Sequence, residues 1–249
     1  MELEIILKRM NEMKRISVAM VTYQGAKYVC EQLDSILISL GTEDEVIVSD
    51  DGSTDGTREI LYEYQKKDKR VHMIDGPKAG VKANVEQALR ACNGEYIFLA
   101  DQDDVWMPEK VERVMAAFKE KKVGLVVHDA VVMDGECKNI LLESFYTLKD
   151  SKAGVVKNIW RNTYIGCCMA FKKELLKEVL PIPSYIEMHD QWIGVINDQL
   201  KKGTCFLPDK LIKYRRHGEN ASAMSHYGVL RMIKNRLCFL WAMFKRKKS

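Results

Sequence analysis

The chain has 249 residues, 47% of them hydrophobic and 30% charged. That suffices for one large α/β domain or two small ones, and it excludes a disordered chain. The net charge of +4 argues weakly for any partner, and no nucleic-acid partner is expected.

The first half alternates short apolar runs with helical periodicity. "ISVAMVT" (16–22) reads as a buried strand, and "YVCEQLDSIL" follows with Val29, Leu33, Ile36 and Leu37 at helical spacing,. "EVIVSDD" is a second strand. "TDGTREILYEYQKK" opens on capping residues and carries Ile60, Leu61 and Tyr64 on one face,. "RVHMID" is a third strand, "VKANVEQALRAC" a helix, "EYIFLAD" a fourth strand, and "PEKVERVMAAFKEKK" a helix with Pro108 at its first position,. Strand and helix alternate through 16–122. The fold class is therefore α/β, a mostly parallel central sheet with helices on both faces. Ligands of such sheets bind beyond the carboxyl ends of the strands. Asp50 and Asp51 end one strand and Asp101 ends another, so both acidic clusters belong on one rim.

The second half is less regular. "VGLVVHDAVVMD" reads as a strand or hairpin arm, and "YIGCCMAFKKELL" as a strand running into a helix. "MHDQWIGVINDQLKK" opens a helix near Asp190, and "KLIKYRRHGENAS" is a strand ending in a polar loop. "YGVLRMIKNRLCFLWAMF" is helical and leads into the basic end "FKRKKS". Its apolar run is too short to span a bilayer. Aromatics and flanking cations on an apolar stripe suit an interfacial helix. A terminal helix packed on the domain, or a dimer contact, reads equally well. The organisation expected is a domain over residues 1–226 with a C-terminal amphipathic basic tail over 227–249.

The seven cysteines are odd in number, and no C-x-x-C occurs. They read as packed free thiols in a reducing compartment. The start, "MELEIILKRMNEMKR", mixes acids and bases and is no secretory signal. No apolar run approaches the roughly 20 residues of a spanning helix. A cytoplasmic protein is expected.

Four stretches carry chemistry. "SDDGSTDGT" (49–57) follows a strand, and a carboxylate there can accept bonds from a base or a ribose. The dinucleotide fingerprint and the P-loop are both absent. "DQDDVW" (101–106) packs Asp101, Asp103 and Asp104 into four positions, where like charges raise one another's pKa. Val105 and Trp106 occupy positions that an EF-hand gives to a ligand and a glycine, so no calcium loop forms. A diphosphate approaching three carboxylates needs a cation between them, which implies a divalent metal (Mg2+ or Mn2+). "MHDQW" (188–192) offers a carboxylate at a helix start, either an N-cap or a general base. "YRRHGENAS" (214–222) offers Arg215, Arg216, His217 and Asn220, either a solvated basic loop or a phosphate clamp with an imidazole metal ligand.

In this order the motifs resemble family 2 inverting glycosyltransferases of the GT-A fold, from about Ile16 to Ser222. The "DQDDVW" form, with a later "HD" and "HGxNxS", is especially similar to bacterial rhamnosyltransferase-like enzymes of surface-polysaccharide assembly. The resemblance implies a nucleotide-diphosphate sugar donor and a glycan or lipid-linked acceptor, and the tail read as an interfacial helix would place the protein in peripheral contact with the inner face of the cell membrane, where a lipid-linked acceptor would be. Residue by residue, it implies that Thr22 and Tyr23 line the base pocket and Asp51 bonds the nucleobase. Lys82 and Asn84 approach the nucleotide, and Asp101 faces the ribose. Asp103 and His217 hold the metal, Asp104 sits near the donor sugar, and Asp190 is the catalytic base. His189 departs from the pattern, standing where many relatives carry Glu. A non-catalytic nucleotide-sugar-binding partner subunit is the alternative. A phosphotransfer domain would need a nucleophilic Asp with a dedicated Lys or Thr, and no such set is evident.

Overall fold

The computed structural model of the chain describes residues 16–218 and 228–246. In chain order the elements are β1 (Ile16–Thr22), α1 (Val29–Leu37), β2 (Glu45–Asp50), α2 (Thr57–Lys67), β3 (Val71–Asp75), α3 (Val81–Ala91) and β4 (Tyr96–Asp101). Then come β5 (Val105–Trp106), α4 (Lys110–Lys121), β6 (Leu125–Met133), β7 (Ile140–Leu142), α5 (Phe145–Lys149) and α6 (Val155–Trp160). β8 (Met169–Lys172), α7 (Leu176–Val179), α8 (His189–Gln199), β9 (Thr204–Arg215) and α9 (Val229–Arg246) complete it.

One nine-stranded sheet runs β3-β2-β1-β4-β8-β6-β9-β5, with β7 paired to β6. The first four strands are mutually parallel, as the alternation predicts. β8 lies antiparallel between β4 and β6, and β9 runs parallel to β6. The apolar runs account for this. β1 and β2 are buried along their whole length, which suits strands covered on both faces,. The helix with an expected start at Pro108 begins at Lys110, with Glu109 as its N-cap. The strand running into a helix expected over 164–176 is present: after a 3-10 turn at Gly166–Cys168, β8 runs through a second 3-10 turn, Lys173–Leu175, into α7. The short β5, β7, α5 and α6 have no periodicity long enough to announce them.

Register places the chemistry. Thr22 of β1 pairs with Asp50 of β2, and Val21 pairs with Asp101 of β4. Both acidic clusters therefore leave the sheet on one rim, as expected. Asp50 itself turns inward. Its carboxylate accepts from Thr22 Oγ1 at 2.9 Å, Ser53 Oγ at 2.6 Å, Ser53 N at 2.9 Å and Arg58 Nη1 at 3.1 Å. Burial pushes its pKa up, but the bonds from Ser53, Thr22 and Arg58 outweigh burial and hold it below the ordinary value. All seven cysteines are free thiols. Cys92, Cys167 and Cys168 are packed, while Cys30 is exposed, unlike the packed thiol expected of it.

A carboxyl with a depressed folded pKa adds stability above its unfolded value of about 4, and that stability is lost as pH falls through the folded value. Asp50→Asn keeps the shape and loses the charge. It should cost about 2 kcal/mol at neutral pH. Urea unfolding at several pH values reads this: the gap between variant and wild type should narrow below about pH 4. A gap of equal size at both ends of the range contradicts the role.

Candidate active site

The loop 101–104 leaves β4 and bears the three acids. Gln102 fixes its entry: its Oε1 accepts from Tyr23 N at 2.8 Å and its Nε2 donates to Tyr23 O at 2.9 Å. Gly25 permits that approach, because a Cβ there would meet Gln102 Oε1 at 2.2 Å. The Tyr23 side chain is exposed at the rim.

Asp51 follows the buried Asp50. Its Oδ2 accepts from Gly80 N at 2.9 Å, while its Oδ1 is buried with no partner. A buried lone oxygen is costly unless a ligand N–H supplies the missing bond. Asn84 presents a similar atom: its Nδ2 donates to Ser49 O at 2.8 Å and Thr22 O at 3.3 Å, and its Oδ1 is unpartnered. The Thr22 hydroxyl is committed to Asp50, and its carbonyl accepts from Asn84 Nδ2. Lys82 points elsewhere. Its Nζ donates to the carbonyls of Ser184, at 2.6 Å, and Ile186. It ties α3 to the segment leading into α8.

The acid triplet is held by two buried cations. Arg215 ends β9, and its Nε donates to Asp103 O at 2.7 Å while its backbone N donates to Asp104 Oδ1 at 3.2 Å. Its Nη1 reaches Gly135 O at 3.0 Å and its Nη2 reaches Glu31 at 2.6 Å. The guanidinium lies 4.9 Å from the Tyr28 ring centroid. Read in the sequence as a loop residue that could clamp phosphate, Arg215 is instead an internal brace. Lys110 went unnoticed in the sequence. It is 1% exposed, its Nζ donates to Cys167 O at 3.0 Å, and it lies 3.9 Å from the Trp106 ring centroid. Burial drives its pKa down to about 8, against the pull of the Cys168 and Cys167 thiols, Asp104 and Asp101. One signal in the sequence points to it: Lys110 shares the buried face of α4 with Val114, Ala117 and Phe118, at positions i, i+4, i+7 and i+8.

Asp101 is pushed up to about 7 by burial, then by Asp103 and Asp190. Asp104 is raised well above the usual range by burial, then by Asp103 and Asp101, and its Oδ2 is buried without a partner. Ligand atoms of Asp101, Asp104 and Cys167 lie within 4.8 Å of one another. Asp103 instead meets His217, Oδ2 to Nε2 at 2.8 Å, and the imidazole packs on Tyr28 with ring centroids 4.7 Å apart. Crowded oxygens whose burial disfavours charge suit a hard divalent cation. The Cys167 thiol is a poor fit for one: its bond to Cys168 and then burial hold it protonated. The donors that fit are carboxylate oxygens of the triplet and the His217 imidazole. Asn220 lies outside the described residues.

Asp190 lies in the first turn of α8 and is buried. Its Oδ1 accepts from Gln191 N at 2.5 Å and Asn162 Nδ2 at 3.2 Å. Asn162 is a partner that no sequence signal announced. A Cβ on Gly166 would lie 3.9 Å from Asp190 Cβ and 3.0 Å from His189 Nε2. Asp190 thus flanks the 3-10 turn Gly166–Cys168, whose central residue, Cys167, has its thiol within 4.8 Å of carboxylate oxygens of Asp101 and Asp104. Burial keeps His189 below its ordinary pKa, so it is a neutral neighbour near neutral pH.

A sequence profile described as "Glycosyl transferase family 2" matches residues 17–180. The chain belongs to glycosyl transferase family 2. It is 28% identical over 218 residues to an uncharacterized glycosyltransferase of Nostoc sp., covering 83% of this chain and 66% of that protein. It is 31% identical over 162 residues to TuaG of Bacillus subtilis, named for teichuronic acid biosynthesis, covering 61% of this chain and 59% of that one. Among solved structures it resembles S. aureus TarS 1-349 in complex with UDP-GlcNAc, with TM-score 0.67, 20% identity, and coverage of 86% and 62% of the two chains. It also resembles the mannosyltransferase PcManGT of Pyrobaculum calidifontis with GDP-Man and Mn2+, with TM-score 0.64, 20% identity, and coverage of 94% and 65%. These likenesses show the GT-A-like α/β fold. The chain spans about two thirds or less of the length of these proteins.

Arg215→Met should destabilise the protein by about 1–3 kcal/mol, because Asp103 O and Gly135 O lose their donor while the half-exposed Glu31 is left to water,. Arg215→Lys should recover less than half, since one ammonium cannot span a fork of three directions. Thermal unfolding of both checks this, and full rescue by Lys would contradict the bracing role.

Proposed function

We propose that this protein moves a sugar from a nucleotide-diphosphate donor to a hydroxyl of a glycan or lipid-linked acceptor, inverting the anomeric centre, in cell-surface polysaccharide synthesis. The observation that carries the reading is the arrangement on one rim: unpartnered Asp51 and Asn84 oxygens, the acid triplet with His217, and Asp190 beside the turn that touches the triplet. The relatives' printed donors, UDP-GlcNAc and GDP-Man, support a nucleotide sugar, and the Mn2+ beside GDP-Man supports a divalent cation. The motif resemblance favours a rhamnosyl group. A cytoplasmic location with peripheral contact at the inner membrane face fits a lipid-linked acceptor. The reading takes residues 1–226 as the transferase domain and 227–249 as its tail.

The Asp51 Oδ1 accepts an N–H of the base, and Asn84 Oδ1 a second donor, in a pocket shaped by Thr22 and Tyr23. Asp101 faces the ribose and Asp104 the donor sugar. Lys82 acts indirectly, anchoring the 184–186 segment through its carbonyls. Asp103 and His217, with help from Asp101 or Asp104, hold the Mg2+ or Mn2+. When bound, that cation neutralises charge growing on the departing diphosphate. Asp103 and His217, 2.8 Å apart, would both have to turn from each other to the cation in order to hold it. Asp190 takes the proton of the acceptor hydroxyl. Its Oδ1 is engaged by Gln191 N and Asn162, which orients the carboxylate.

A panel of UDP-, GDP- and dTDP-sugars with Mg2+ or Mn2+, screened for transfer or hydrolysis, tests the function. Asp190→Asn should lower kcat by about 10²–10⁴-fold while nucleotide affinity holds; wild-type kcat would move the proton to another residue. Asp103→Asn and EDTA should each silence transfer. Full turnover in EDTA with no added metal would sink the cation.

A further inference from the structure

The helix α9 has two faces with different tasks. Its inner face joins the core: Phe239 and Ala242 are buried, and Phe239 packs edge-on against Trp192 of α8 with centroids 5.6 Å apart. Arg246 pairs with Glu178 at 2.6 Å and donates to Gln199 at 2.9 Å. Leu230, Ile233, Leu237, Leu240, Trp241 and Phe244 form the outer face, exposed by between 47% and 84%. At 3.6 residues per turn these six fall within an arc of about 100°. Arg231, Lys234 and Lys245 flank one side of the stripe and Arg236 the other. No acidic residue occurs anywhere in α9. Among the described residues no helix is long and apolar enough to cross a membrane.

Two groups of contacts join α9 to the chain on both sides of Asp190. Arg236 donates to Trp160 O at 2.9 Å, and its guanidinium lies 4.0 Å from the Trp160 ring centroid. Two residues beyond Trp160, Asn162 donates to Asp190. On the other side, Arg231 pairs with Glu187 at 2.9 Å, and Asn235 also donates to Glu187. Glu187 precedes Asp190 by three residues.

We propose that the outer face of α9 docks on an anionic bilayer surface and thereby holds the acceptor side of the Asp190 site against that surface. The second half of this statement rests on the transferase reading above. Charge complementarity selects the occupant. An apolar stripe with basic flanks and no acid matches anionic headgroups over acyl chains. A second copy of the same face would set cations against cations, which costs free energy.

The full chain is sedimented with vesicles of phosphatidylcholine alone and of phosphatidylcholine with phosphatidylglycerol in equal parts, at low and high salt. Wild type should bind the anionic vesicles at least about tenfold more tightly than the neutral ones, and less tightly as salt shortens the Debye length. Leu237→Glu/Leu240→Glu and Lys234→Glu/Lys245→Glu each change exposed side chains, so both should keep the melting temperature and donor hydrolysis. Both should lose anionic-vesicle binding by about tenfold or more. The proposal is overturned if wild type ignores anionic vesicles or if the two variants bind as wild type does. A wild-type dimer that Leu237→Glu/Leu240→Glu converts to a monomer also overturns it, assigning the face to a second copy. Donor hydrolysis separates the two readings: vesicle binding with no hydrolysis of any donor sustains the docking surface and removes the transferase.

Discussion

Three carboxylates within four residues repel one another, and the rest of the site depends on how the fold holds them. It does so with two cations taken out of water. Lys110 sits below the triplet on the buried face of α4, and Arg215 sits beside it at the end of β9. Isolated, either charge would be expensive to bury. Burial also pushes Asp101 up to about 7 and Asp104 well above the usual carboxylate range, which lowers the negative charge the two cations must offset. The fixed walls of this cluster are supplied by β4, α4 and β9.

Parallel pairing makes this economical. Because β1, β2 and β4 share direction, one register sends Asp50, Asp51 and Asp101 out of the same edge. The two adjacent aspartates then divide their roles by strand alternation. Asp50 points inward, gathers Thr22, Ser53 and Arg58, and stiffens the 50–58 turn. Asp51, the first residue beyond β2, turns to Gly80 N and keeps one buried oxygen unmet. Exchange of the two roles would require a one-residue slip of β2, which would invert every side chain along a strand buried at all six positions,.

The alternating half of the chain was legible because long apolar periods survive any detail of packing. The strand ends followed, and with them Asp51, Asp101 and the triplet as a rim. Asp190 was legible as a carboxylate at a helix start. What was not legible depends on contacts between segments far apart in sequence. Arg215 reads as a loop cation until β9 is seen to run to its end, where the side chain turns inward toward Glu31, some 184 residues away. Asn162 and Gln102 are ordinary polar residues in the sequence, and their value lies wholly in the backbone or carboxylate they meet. Lys82 shows the opposite error: a cation near the nucleotide segment in sequence is spent on the carbonyls of Ser184 and Ile186. Lys110 was readable in principle, since a lysine on an apolar helical face needs a reason.

The segment 182–187 joins these observations into one mechanical arrangement. From one side, Glu86 of α3 accepts from Ile182 N at 2.7 Å and Lys82 donates to the carbonyls of Ser184 and Ile186. From the other side, Arg231 and Asn235 of α9 hold Glu187. The turn of α8 that carries Asp190 is thus suspended between α3 and the helix that carries the exposed apolar stripe. A shift of either helix is passed to the backbone three to eight residues before Asp190 through short, mostly charged contacts. Such contacts resist displacement more than apolar packing does, because each has a preferred direction as well as a distance. Positioning of the carboxylate is therefore a property of α3, α8 and α9 together, and not of the motif that contains it.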